Sequence, residues 1–179
     1  MSGEVKRIGR KLMYEGAILK VYKDCMQFEN GNTEEWDYIH HHGAAAVVPV
    51  LEDGRILMVT QYRNAVDRET LEIPAGKHDK EGESGRLCAI RELEEETGYR
   101  SDEFEWLLNM RTTFGFCNEK IEIYVARNLI SSRQNLDENE YVDVKAYTVD
   151  ELKNKIYSGE IEDSKTIAAI LAYADKYVK

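Results

Sequence analysis

Between Gly76 and Tyr99 the chain carries Glu92, Glu95 and Glu96, three carboxylates at spacings i, i+3 and i+4. At about 100° per residue they share one arc of a helix, with Glu94 turned to the far side and Arg91 between. Like charges this close repel one another unless a cation lies among them. Oxygen-only donors suit Mg²⁺, with Mn²⁺ as the alternative, and leave positions open for water and phosphate oxygens. The competing reading is a solvated acidic face on a surface helix.

The element that must hold these groups is legible at both ends. Ser84 is a good N-cap and Gly98 a good left-handed C-terminal residue, so the spacing predicts a helix over about 85 to 97. Leu87, Ala89, Ile90, Leu93 and Thr97 fall within an arc of roughly 100°, the width of a core-facing stripe. Cys88, at the edge of the carboxylate arc, reads as a small buried hydrophobe.

Arg91-Glu92-Leu93-x-Glu95-Glu96-x-Gly98-Tyr99, preceded by Glu83, resembles the second half of the Nudix hydrolase signature. One departure stands out. Six residues separate Gly76 from Glu83 where that family usually has five, an insertion in the polar loop 77–82 that costs little because loop entropy grows slowly with length. The resemblance implies a metal shell of Glu92, Glu96, Glu95 and the Ala75 carbonyl. It also implies a supporting ion pair between Glu83 and Arg91.

Gln61-Tyr62-Arg63 and Leu71-Glu72-Ile73-Pro74-Ala75-Gly76 resemble the ADP-ribose branch of the same family. That resemblance implies that Arg63 contacts substrate phosphate or ribose, for which its planar fork is suited; a structural ion pair with a nearby carboxylate is the other reading. Gly76 belongs to the same implied substrate side, and Glu72 either to that side or to the carboxylates that support the site's other residues. Trp36-Asp37, soon after the Asn30-Gly31 turn, matches the pair that in ADP-sugar pyrophosphatases stacks on and hydrogen-bonds adenine, although a tryptophan there also serves simply to pack. Glu119 falls where the bacterial enzymes carry a catalytic base, and Glu95 is the second candidate.

The implied reaction is metal-dependent cleavage of ADP-ribose to AMP and ribose 5-phosphate by a homodimer whose N-terminal strands reach the partner. Phe114 stands where the branch tends to have proline, which leaves the sugar nucleotide open. A GDP- or UDP-sugar, a nucleoside triphosphate, an isoprenoid diphosphate isomerised with Cys117, and a non-catalytic ADP-ribose sensor remain alternatives.

Composition bounds the rest. With 179 residues, 42% hydrophobic content and two prolines, the chain reads as one compact unit, divided into N-terminal strands over 1–42 and a hydrolase domain over 43–179. No apolar run reaches membrane-spanning length and no leader pattern is visible, so a cytoplasmic protein without membrane contact is expected. Cys25, Cys88 and Cys117 read as reduced thiols, and a net charge of −10 argues against nucleic acid as a partner. His40, His41 and His42 alternate faces in a strand and cannot all meet one ion.

Strands are expected over 17–29, 34–42, 44–51, 56–62, 104–111, 121–126 and 141–148, with helices over 149–157 and 163–177. The hairpin of 44–51 with 56–62 is expected at the centre of the sheet. Strands outnumber helices, so the class is α+β. The family resemblance makes it the Nudix α/β/α sandwich with a mixed central sheet and an N-terminal hairpin or meander.

Overall fold

The computed structural model describes residues 3–78, 82–136, 138 and 141–178. Residues 79–81 of the 77–82 loop, where the extra residue falls, lie outside the described residues, as do three positions of the acidic stretch 134–140. The chain forms two compact units, Met1–Gly43 with Arg111–Lys120, and Ala44–Met110 with Ile121–Lys179.

In the first unit β1 (Val5–Glu15), β2 (Lys20–Phe28) and β3 (Thr33–His40) form an antiparallel meander in that order. Asn30-Gly31 makes the expected turn, with Gly31 at φ 84°, a conformation that glycine adopts without steric cost. Strand β1 differs from expectation, because the strands expected from the sequence begin only at residue 17. All eleven of its residues are exposed, so no inward-facing set had to be apolar. Its anchor is polar: Arg10 grips the buried Asp24 through two 2.6 Å hydrogen bonds and lies 3.9 Å from the Tyr38 ring centre. The 111–120 segment is laced to the end of β3, where the Ile39 amide donates to the Phe116 carbonyl at 2.7 Å.

The second unit holds β4 (Ala44–Pro49), β5 (Ile56–Arg63), β6 (Arg68–Glu72), β7 (Ala75–Lys77), α1 (Gly85–Thr97), β8 (Tyr99–Arg100) and most of β9 (Glu103–Arg111) and β10 (Lys120–Arg127). β11 (Ile130–Ser131), β12 (Val142–Tyr147), α2 (Val149–Tyr157) and α3 (Ser164–Tyr177) follow. One sheet runs β7-β4-β10-β9, with β4 and β10 parallel and β4 and β7 antiparallel, a second runs β12-β5-β6, and β8 pairs with β11.

The expected central hairpin is therefore replaced by two sheets. β4 and β5 are joined by a short turn, with a bridge between Val50 and Ile56 and the Leu51 amide donating to the Arg55 carbonyl at 2.8 Å, but each is an inner strand of a different sheet. β4 and the first half of β5, Ile56–Val59, are buried and apolar on both faces, so their own patterns do not name a partner, and β4 takes the distant β10.

Alternation along β10 separates two cores. Ile121, Ile123 and Val125 join Ala46, Val48, Leu152, Ile170 and Tyr173, whereas Tyr124 and Ala126 join Ala45, Val47, Cys88, Ala89 and Leu93. Helix α1 thus covers one face of the sheet, with α2 and α3 on the other, giving an α/β/α sandwich of α+β class. No helix among the described residues is long and apolar enough to cross a membrane.

Candidate active site

Helix α1 is capped as its sequence requires. The Ser84 hydroxyl accepts from the Leu87 amide at 3.3 Å, and Gly98 at φ 69° donates its amide to the Glu94 carbonyl. The buried stripe is rotated from the expected one. Leu87 is exposed and Ile90 only half-buried, while Cys88, Ala89, Glu92, Leu93, Glu96 and Thr97 are buried. The helix therefore turns two carboxylates inward, Glu92 at 8% and Glu96 at 3% exposure, which excludes a solvated acidic face.

Buried carboxylates need compensation, and it comes from backbone and from Arg91. Glu96 accepts the Ala75 amide at 3.0 Å, which brings it to the strand whose carbonyl the metal reading invokes. Arg91 Nη1 donates to Glu92 at 2.6 Å and to Glu95 at 2.8 Å, while its Nε and Nη2 reach Glu83 at the longer distances of 3.4 and 3.5 Å. Burial works against the guanidinium's charge, yet Glu83, Glu95 and Glu92 outweigh it and hold the Arg91 pKa above its ordinary value. At Gly76 the chain passes so close to α1 that an added Cβ would lie 1.8 Å from Glu92 Oε1. Glu92 and Glu96, one helical turn apart beside the Ala75-Gly76 backbone, are hard oxygen donors in a slot only glycine leaves open. They fit a divalent cation of the Mg²⁺ class.

Arg63 and Glu72 are brought together as a parallel pair, with Nε to Oε1 at 2.9 Å and Nη2 to Oε2 at 2.8 Å. Lys165 Nζ, itself buried, also binds Glu72 and reaches Asp163 at 2.9 Å, and the Thr70 hydroxyl donates to Glu72 at 2.6 Å. Burial pushes the Glu72 carboxyl up, but Arg63, Lys165 and Thr70 prevail and hold it at about 2. Sequence reasoning missed Lys165 and Thr70. Lys165 lies 93 residues from Glu72, and its only local signal is the α3 cap, where Asp163 accepts from the Thr166 amide at 2.9 Å.

Also missed was Gln134, whose side-chain amide donates to the Glu96 carbonyl at 2.7 Å and secures the end of α1.

In the first unit Glu119 lies 3.4 Å from His41 Nδ1, and Asn118 clasps the His41 backbone, accepting from its amide at 2.7 Å and donating to its carbonyl at 3.1 Å. His40 and His42 stack edge-on at 5.2 Å while His41 turns to Glu119, although β3 ends at His40, two residues short of the expected strand. Burial, then the neighbouring His42, depresses the His40 pKa. Trp36 is 45% exposed, with its Nε1 donating to Glu34 at 3.3 Å, and the Asp37 carboxylate is exposed beside Lys23 at 3.5 Å. Phe114 is 86% exposed.

Three comparisons bear on this arrangement. The NUDIX domain family model matches residues 40–170. The chain is similar to the methanol dehydrogenase activator of Bacillus methanolicus, at 41% identity over 93% of this chain and 91% of that protein. It is also similar to the ADP-ribose pyrophosphatase of Bacillus subtilis (strain 168), at 34% identity over 98% and 93%. Among solved structures, an ADP compounds hydrolase superposes with a TM-score of 0.84 over 98% of this chain and 94% of that one; at 18% identity this likeness concerns the fold.

Proposed function

The chain belongs to the Nudix family and is a pyrophosphohydrolase, and we propose that it cleaves the diphosphate of a nucleoside diphosphate sugar, ADP-ribose above all, into AMP and ribose 5-phosphate. The observation that carries this reading is the inward pair Glu92 and Glu96 beside Ala75 and Gly76. The name of the 34% identical Bacillus subtilis relative supports the substrate.

The metal shell in this reading is Glu92, Glu96, Glu95 and the Ala75 carbonyl. A bound Mg²⁺, or Mn²⁺ in its place, supplies charge that offsets the phosphoryl oxygens and lowers the pKa of a bound water. The chain's own residues do the rest. Arg91 holds Glu92 and Glu95 in one orientation, with Glu83 behind it. Arg63, aligned by Glu72, offers its guanidinium to a phosphate or ribose oxygen. Trp36 and Asp37 contact adenine, and Glu119 takes the proton of the attacking water, with Glu95 as the other candidate.

Homodimer formation through residues 1–42 belongs to the same proposal. Its support is the apolar surface of the N-terminal sheet, where Ile8, Leu12, Tyr14 and Trp36 are all exposed. Cytoplasmic residence is inferred from three free cysteines.

The test is product analysis with ADP-ribose, ADP-glucose, GDP-mannose, UDP-glucose and a nucleoside triphosphate. Preferential release of AMP and ribose 5-phosphate from ADP-ribose supports the reading, and turnover of none of the five defeats it. The 41% identical relative motivates a second reading, activation of a dehydrogenase. A rise in methanol dehydrogenase activity on adding the chain, without hydrolysis of the panel, would favour it.

A further inference from the structure

We propose that His78, Glu83 and Cys88 form a second metal site, of the zinc class, that ties His78, just past β7, to the start of α1. One ligand atom from each lies within 4.8 Å of the others. The three differ in chemistry from the oxygen-only set at Glu92 and Glu96. An imidazole nitrogen, a thiol sulfur and a carboxylate oxygen together select a borderline-soft ion such as Zn²⁺ or Co²⁺ over Mg²⁺.

A second observation points the same way. His78 Nδ1 is buried and makes no hydrogen bond among the described residues, and at 3.9 Å from Glu83 Oε2 it is too far to make one there. A buried nitrogen with no partner is costly, and coordination would satisfy it. Cys88 is fully buried, with its Sγ 3.4 Å from the Lys77 and Gly76 carbonyls, so the thiol already faces the strand end from which His78 emerges. Glu83 reaches Arg91 only at 3.4 and 3.5 Å, while Arg91 is held more tightly by Glu92 and Glu95. In this site the Glu83 carboxylate shares an oxygen with the ion while the guanidinium keeps its two short bonds to Glu92 and Glu95. On binding, the thiol proton passes to solvent and a Cys88 Sγ–metal bond replaces the S–H bond.

The experiment is optical titration of the full chain with Co²⁺ in the presence of excess Mg²⁺, followed by displacement with Zn²⁺. The expected result is a sulfur-to-cobalt charge-transfer band that saturates at one equivalent and is bleached by Zn²⁺. It should be absent in Cys88→Ala and weakened by more than about tenfold in affinity in His78→Ala. Glu96→Gln should leave it intact, as should the double variant Cys25→Ala with Cys117→Ala. Cys88→Ser, closer in volume, repeats the test if the alanine variant fails to fold. No band in the wild type, a band that survives loss of Cys88, or one indifferent to loss of His78 overturns the proposal.

Discussion

Gly76 and Glu92 are in contact that no other residue at position 76 can reproduce, since an added Cβ would lie 1.8 Å from Glu92 Oε1 and 2.1 Å from its carboxyl carbon. Gly76→Ala should swing the end of the Glu92 side chain out of its slot and away from Arg91, at a cost of about 1.5–3 kcal/mol in stability, the usual range for a lost hydrogen bond between charged groups. Activity should fall more steeply than stability, because the displaced group is a proposed metal ligand. Paired denaturation and steady-state measurements check this. Wild-type activity in Gly76→Ala would show that Glu92 tolerates relocation.

Lys165 should matter to Arg63 without touching substrate. Replacing it by methionine removes one of the cations that hold the buried Glu72, a change expected to cost about 3 kcal/mol. With Glu72 less firmly held, Arg63 loses its alignment, and KM for the diphosphate should rise more than kcat falls. Equal stability in the wild type and Lys165→Met would contradict the network as described.

The same network sets an acid limit. The Glu72 carboxyl is held near 2 against an ordinary value of 4.5, so the stability it contributes is fully present above the ordinary value and is lost as pH falls toward 2. The contribution at stake is about 3 kcal/mol. Urea denaturation between pH 6 and pH 3 should show wild-type stability falling with pH more steeply than that of Glu72→Gln. Identical slopes would assign the acid sensitivity to other carboxylates.

How much of this was readable from the chain depends on the range of the interaction. Helix α1, its Ser84 cap and the i, i+3, i+4 carboxylates are local and were legible from neighbouring residues, whereas Thr148 and Asp163, expected as the end of a strand and the start of a helix, prove to be the caps of α2 and α3. Partners distant in sequence were not. The pairing of β4 with β10 and the approach of Lys165 to Glu72 join segments whose own patterns carry no record of each other. Strand β1 was hidden because an exposed strand needs no apolar alternation. At Leu87 the wheel placed a large hydrophobe inward, whereas the smaller Cys88 and two carboxylates occupy the close-packed side against β4 and β7.

Glu119→Gln separates the two candidates for the base. If Glu119 accepts the proton, kcat should drop by about 10²–10⁴-fold with little change in KM, the usual contribution of a positioned base. A change within about twofold, with a large loss in Glu95→Gln instead, would move that role to α1.

The central claim is that buried carboxylates of α1 carry metal-dependent hydrolysis of a sugar nucleotide. Its most direct test is a Mg²⁺ titration of ADP-ribose hydrolysis in the wild type and in Glu96→Gln, with folding checked by circular dichroism. The account predicts AMP release that requires Mg²⁺ in the wild type and falls at least roughly 100-fold in a folded variant. Undiminished hydrolysis in Glu96→Gln, or hydrolysis indifferent to divalent ions, would contradict it.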